Sequence, residues 1–436
     1  MTGSGAVFPC CARRAAIVLA IAASISNGTR AESLDEAWEL ALDSSHRLES
    51  ARQGALAARS QISAAEGARL PSLNVSASTT ALNSTPAIQA NFGQAQAAFE
   101  FMEGSFYQYQ TTASIPIFTG GKVTGAIKAA KADYESARAQ SELTKQELKI
   151  DVANTYIQVL RAQQNLRVAR RTVRSLGLHL LDADNLHQNG FASKTDLLSA
   201  KAAHAAARQE KIRASNALKV AVASHNRITG RPVDEPLKLD ELDLQDITTA
   251  DYDELVLSAL RGRPEMDVLG HKESALRRRA KAVNGDKLPQ IGANAGYNYL
   301  ENRNLVDEGF WSVGVSLNWK LFDGQRTNNT RNSIIREAES TYEQRRELAT
   351  LIELQVRQAY LALSETRQRI DVAQEGLNAA AENLRMVRDR YSEGLINNTE
   401  VLDAETLLTK ADSNLANAKY DAVLADLMLK RAMGSL

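Results

Sequence analysis

Cysteine is absent from this chain after residue 11. Cys10 and Cys11 are the only two among 436 residues. Both precede an apolar run, "AAIVLAIAASIS", headed by Arg13 and Arg14. Two arginines, about a dozen apolar residues and small residues before Ala31 form the pattern of a secretory signal over residues 1–31. A short membrane anchor is the alternative reading. With the signal removed the mature chain has no cysteine, which excludes disulfides, thiolate metal sites and a cysteine nucleophile. A lipoprotein would carry its cysteine after the apolar run, so no lipid anchor is expected. No later stretch approaches eighteen apolar residues, so no spanning helix is expected. An exported chain of this kind is either soluble or a membrane β-barrel.

Charge of one sign is missing as well: 52 Lys and Arg balance 52 Asp and Glu. Electrostatics therefore give no case for nucleic acid as a partner. Cleavage would remove Arg13, Arg14 and Arg30 and no acid, leaving the mature chain near −3. Proline (8 residues) and aromatics (5%) are scarce, while Ala, Leu, Arg, Glu and Gln abound. That balance favours long helices.

Catalytic patterns are missing too. The six histidines (His46, His179, His187, His204, His225 and His271) are scattered, and none forms a metal-binding pair with an acid at helical spacing. Each is expected on a surface or flank. "FTGGKV" (118–123) lacks the earlier glycine and the hydroxyl residue of a phosphate loop. It reads as a strand-to-helix turn in which glycine relieves backbone strain. No catalytic, cofactor-binding or metal-ligating residue is assigned, and an enzyme is not expected.

What is present is a repeat. A shift of 204 carries Phe118 to Phe322, Tyr156 to Tyr360, "NGFASKTDLL" (189–198) to "EGLINNTEVL" (393–402) and Gly230 to Gly434. Upstream the shift is 218, so the first half holds 14 extra residues near 83–105, an Ala/Gln/Asn-rich stretch. Each unit reads as a short helix (33–43 and 251–261), a longer one (46–69 and 264–287) and two strands. A very long helix follows (121–187 and 325–390), then a turn and a returning helix (195–228 and 399–432). At about 1.5 Å per residue the long helices reach roughly 100 Å. Such rods need neighbours along their whole length.

The strands alternate with period two. Trp311, Val313, Val315, Leu317, Trp319 and Leu321 interleave with Ser312, Gly314, Ser316, Asn318 and Lys320. Residues 290–300, 107–117 and 73–77 do the same. A soluble sheet packed on a core is one reading. Strands of ten or eleven residues, aromatics at strand ends and polar faces with few charges favour a membrane barrel with a wet lumen. Four strands cannot close a barrel, and open edges cannot face lipid. Copies must therefore combine; three give about twelve strands, whereas two would fill the interior. Three chains would also supply six helical hairpins for a hollow cylinder, with an ordinary antiparallel coiled coil as the alternative. The fold class expected is a mixed α+β membrane protein. A trimeric β-barrel with four strands per chain continues into a long α-helical barrel, built from an internal duplication.

"PIFTGG", "KLFDGQR", "GFASKTDLL" and "GLINNTEVLDA", in this order and spacing, resemble the TolC family of outer-membrane efflux channels over essentially the whole mature chain. The resemblance implies a homotrimer with a barrel in the outer membrane and a tunnel through the periplasm. It also implies a periplasmic adaptor and an inner-membrane transporter, ABC-type or proton-driven, and export of drugs or secreted proteins. The divisions expected are signal peptide 1–31, first equatorial helices 32–71, first β-hairpin 72–120, first long helical hairpin 121–228 and linker 229–250. Second equatorial helices (251–288), second β-hairpin (289–323) and second helical hairpin (324–436) follow.

By the same resemblance Gly190 and Phe191, with Gly394 and Leu395, are the adaptor-docking tips. Glu400 and Asp403 ring the pore aperture, and Asp196, Thr195 and Tyr391 belong to its gate. The gate arginine's position holds Ile396. The residues alone allow a plainer reading, in which Glu400 and Asp403 sit in a helix's first turn, favoured by its dipole. Asn398 or Thr399 would then be the cap, with Thr195 and Asp196 opening the matching helix. The rival function is a soluble periplasmic coiled-coil scaffold or an adaptor, although an adaptor would show one hairpin rather than two equal ones.

Overall fold

A computed structural model describes residues 31–93, 95–242 and 251–436. Apart from Ala31 the expected signal lies outside the described residues, as do residues 243–250 of the linker. The chain begins with α1 (Leu34–Ser44) and α2 (His46–Gly67). Ser33 caps α1 in a reciprocal box with Glu36, and Ser45 accepts from the Leu48 amide at the start of α2. Strands β1 (Ser72–Ala81), β2 (Ala87–Phe92), β3 (Ala95–Glu100) and β4 (Ser105–Phe118) come next. Helices α3 (Lys122–Gln188) and α4 (Lys194–Ile228) complete the first unit. The second unit holds α5 (Tyr252–Gly262), α6 (Pro264–Asn284), β5 (Gln290–Leu300), β6 (Gly309–Asn318), α7 (Arg326–Ser392) and α8 (Asn398–Ala432).

The duplication is visible element by element. α3 and α7 have 67 residues each, and α4 and α8 have 35. Their bounds differ by the 204 residues read from the sequence. Backbone conformation repeats as well: Gly190 and Gly394, and Gly230 and Gly434, take positive φ in pairs. Gly121 (φ 85°) is matched by Gln325 (φ 67°), the one positive-φ residue other than glycine among the described residues.

The long helices are spines. Near the sheet the neighbours run α2–α3–α6–α7; further away α4 and α8 replace α2 and α6, giving α4–α3–α8–α7. A wall four helices wide is thus kept along the rods. Gly125 permits the close approach of α3 and α6, since a Cβ there would lie 2.8 Å from the Ala282 Cβ. The core sits at the middle of the rods, where α1 seats Ala37 and Ala41 against Leu148, Val152 and Tyr156 of α3. α5 seats Leu255 and Ala259 against Ile352 and Val356 of α7 in the same way. The Tyr156 hydroxyl donates to the carbonyls of Glu32 (2.8 Å) and Asp240 (2.9 Å), pinning both ends of the first unit. Among the described residues no helix is long and apolar enough to cross a membrane.

The sheet is antiparallel, in the order β1-β4-β5-β6. Tyr109 lies opposite Tyr299, and Tyr297, Ala295, Ala293 and Ile291 lie opposite Trp311, Val313, Val315 and Leu317. The alternating apolar residues therefore share one face. None of the described residues covers it: Val313 is 87% exposed, Trp311 79% and Val75 72%.

Two expectations are overturned here. The stretch near 83–105, read as an Ala/Gln/Asn-rich insertion and not counted among the four strands per chain, contains the antiparallel hairpin β2–β3. Asn302, itself buried, donates to the Phe101 carbonyl, and Arg303 pairs with Glu103, tying the hairpin's base to the β5–β6 loop. Two histidines are not on a surface. His225 is fully buried, where the end of α4 folds against α3, beside Thr155 and the Tyr156 ring. His179 is buried between α3, α7 and α8.

Candidate functional site: the tips of the two helical hairpins

Both hairpins end in the same turn. After α3, Gly190 (φ 82°) donates to the His187 carbonyl and Phe191 to that of Leu186. After α7, Gly394 (φ 73°) donates to Tyr391 and Leu395 to Arg390. These paired bonds close each helix on a left-handed residue, a place where glycine carries no Cβ penalty. Phe191 is left 79% exposed and Leu395 68%.

Thr195 and Asp196 lie in the first turn of α4, and Ser193 caps it; its hydroxyl donates to the Asp196 carboxylate at 2.7 Å and accepts from the Asp196 amide. Asn397, not Asn398 or Thr399, caps α8, its side-chain oxygen accepting from the amides of Thr399 and Glu400. A cap must sit outside the helix in extended backbone, and Asn397 (ψ 163°) and Ser193 (ψ 157°) do. Asn398 is freed for another role. Glu400 and Asp403 are exposed on one face of the first turns of α8, and Thr195 is exposed on α4.

Tyr391 and Asp196 make no hydrogen bond to each other within this chain. Asp196 is spent on its capping box, and among the described residues the buried Tyr391 hydroxyl has no hydrogen-bond partner. The two groups are nonetheless near. Burial pushes the Tyr391 phenol up, and the carboxylates of Asp196 and Asp182 push it further.

Other residues join the hairpins. Glu405 of α8 is buried and accepts from the Ser175 hydroxyl of α3 and from Arg388 of α7. One turn nearer the tip, the His179 ring bonds Asn398 and lies 5.0 Å from the Tyr391 ring, tilted 56° to it. Further up the rods the α3–α8 seam continues as Thr172–Thr409 (3.0 Å), Arg171–Asp412 (2.5 Å) and Arg161–Asp421 (2.5 Å). From Ser175 to Arg161 this seam is polar, and at the middle of the rods it turns apolar, with Ile150, Ala153 and Ile157 of α3 against Leu427 of α8; α3 and α4 meet within one hairpin through Leu166, Ala169, Ala214 and Leu218. The signal for it was in the sequence. Glu405 interrupts the apolar stripe of Val401, Ala404 and Leu408, and a charge in such a stripe needs a partner.

The sequence profile of the outer membrane efflux protein family matches residues 37–231 and 255–435. The chain belongs to this family. Outer membrane protein TolC of Vibrio cholerae serotype O1 is 26% identical over 434 residues, 96% of this chain and 94% of that protein. Alkaline protease secretion protein AprF of Pseudomonas aeruginosa is 27% identical over 311 residues, 69% of this chain and 63% of that protein. Among solved structures, the Campylobacter jejuni outer membrane channel CmeC has a TM-score of 0.79 at 17% identity, over 92% of this chain and 85% of that one. The Vibrio cholerae outer membrane protein VceC has a TM-score of 0.76 at 18% identity, over 92% and 96%. The mostly helical fold with a small sheet is the fold of these neighbours. This efflux-family protein is an outer-membrane channel that extends into the periplasm, and its relatives are channels rather than enzymes.

Proposed function

We propose that three copies of this chain close into one passive export duct that joins an inner-membrane transporter to the cell exterior through a periplasmic adaptor. The observation that carries the reading is the uncovered apolar face of a sheet with two free edges. In lipid that face is stable only if the edges are paired. β1 and β6 run antiparallel, so β6 of one copy can pair with β1 of the next and extend the same ladder. The helical wall supports the same closure. Exposed apolar residues on α4 (Leu198, Ile212 and Val220) and α7 (Leu354, Leu361 and Val372) mark its two outer flanks. Twelve strands leave a wet lumen.

In this reading the tips gate the duct and receive the adaptor at Phe191 and Leu395, and Glu400 and Asp403 face the axis. The hairpins are held together in this chain by Arg388, Glu405 and Ser175 rather than by Tyr391 and Asp196, which accounts for the dispensability of an arginine where Ile396 stands. The family's name supports efflux, and AprF's supports protein secretion; both cargo classes fit a passive duct. Purified protein added to planar lipid bilayers tests the reading. Stable unitary conductances are expected, and their absence would contradict it.

A further inference from the structure

Below the sheet, α2, α3 and α6 enclose an open groove of about 600 Å³ whose lining includes Lys128 and Lys131 of α3 and His271 and Arg278 of α6. Most of its positive charge is unneutralised. Among the described residues Lys128 and His271 have no hydrogen-bond or ion-pair partner, and Arg278 reaches only the Ser274 hydroxyl at 3.3 Å. Lys131 meets Glu66 at 3.3 Å. Glu135, the acid of the lining, has Arg138 at 3.7 Å.

The duplication supplies an internal comparison. At the shift of 204, Asn332 and Ile335 of α7 stand where Lys128 and Lys131 stand. At 218, Gln53, Leu56 and Ser60 of α2 stand for His271, Ser274 and Arg278. The repeated scaffold thus folds without these cations, and helix packing does not require them. Unpaired like charges lining one concavity repel one another, and an anion that bridges them relieves that repulsion. Tyr134, also in the lining, adds a hydroxyl donor.

We propose that this groove binds a phosphate-class anion through Lys128, Lys131 and Arg278. Lysine and arginine together suit such a ligand, one as a point charge and the other as a fork of donors. The groove starts about 10 Å from the sheet end of α3. It is therefore in reach of a phospholipid headgroup as well as of a soluble phosphate. Binding is read on purified protein, so it stands or falls independently of the duct.

Full-length protein in phosphate-free nonionic detergent is titrated with inorganic phosphate by calorimetry. In parallel, nanodiscs of phosphatidylcholine with and without phosphatidylglycerol are delipidated and the retained lipid is measured. The variant is Lys128→Gln/Arg278→Gln; the control, Lys211→Gln/Lys219→Gln, removes equal charge from α4. Phosphate binding weakened at least about tenfold in the variant alone assigns a soluble anion. Phosphatidylglycerol retention lost in the variant alone assigns a headgroup. The proposal is overturned if wild type shows neither response or if variant and control behave alike. Conducting channels in that same preparation would leave the duct reading intact.

Discussion

Gln325 sets a side chain into left-handed backbone (φ 67°), where the first unit has Gly121 (φ 85°). The conformation costs a non-glycine residue about 1 kcal/mol, and glycine returns part of that gain as unfolded-state entropy. Gln325→Gly is expected to stabilise the fold by about 0.5 kcal/mol in chemical unfolding, and a loss of stability would contradict this assignment. Gly394 poses the opposite case. Space around it is open, so φ rather than crowding makes substitution costly. Gly394→Ala should cost about 1 kcal/mol, and Gly394→Trp should in addition abolish adaptor cross-linking at the tip. Intact cross-linking by the Trp variant would remove Gly394 and Leu395 from the docking surface. Glu400 and Asp403 cap no amide; in the duct reading they converge on the axis as a carboxylate ring, which favours cations. Glu400→Ala/Asp403→Ala is expected to relieve block by divalent cations in bilayer recordings, and unchanged block would take the ring out of the pore.

At the scale of elements, the rods were legible because their periodicity and turn glycines lie within single stretches of chain. The 204-residue shift survives in the helix bounds for the same reason. What was not legible is what two distant elements do to each other. The stripe around Glu405 signals that it needs a partner, but only the packing of α8 and α7 against α3 identifies Arg388 and Ser175 as those partners. His179 and His225 read as scattered histidines until the hairpins close over them. The hairpin β2–β3 escaped notice because its Ala/Gln/Asn composition mutes the alternation that marked the other strands. The family resemblance assigned Tyr391 and Asp196 to one gate but could not show that Ser193 takes the carboxylate first. Towards the tips the α3–α8 seam is polar, and there one hairpin can move on the other, because its bonds can exchange with water; the apolar α3–α8 contacts of Ile150, Ala153 and Ile157 with Leu427 hold the middle of the rods. Removing the buried carboxylate with Glu405→Ala is expected to destabilise by about 1–2 kcal/mol, since Ser175 and the partly exposed Arg388 lose their bonds to it. It should also raise unitary conductance, whereas Tyr391→Phe, which loses no bond, should leave conductance unchanged. The reverse ranking would return the gate to Tyr391.

For the whole molecule, the chain has a wall without a closed circumference and a sheet without a covered face. Both shortfalls are met at once by rotation of identical copies about one axis, a closed assembly with heterologous contacts. Should the number of copies be three, β1 and β6 of neighbouring chains lie side by side. The absence of cysteine after residue 11 makes this directly measurable. Ser76→Cys at the middle of β1 and Gly314→Cys at the middle of β6 share the polar face, and a short bis-maleimide spans neighbouring strands. Cross-linking the doubly substituted protein in outer membranes should give dimers and trimers on a denaturing gel and nothing larger, with each single variant remaining monomeric. A product limited to monomer, or a ladder continuing beyond three, would contradict the three-chain duct.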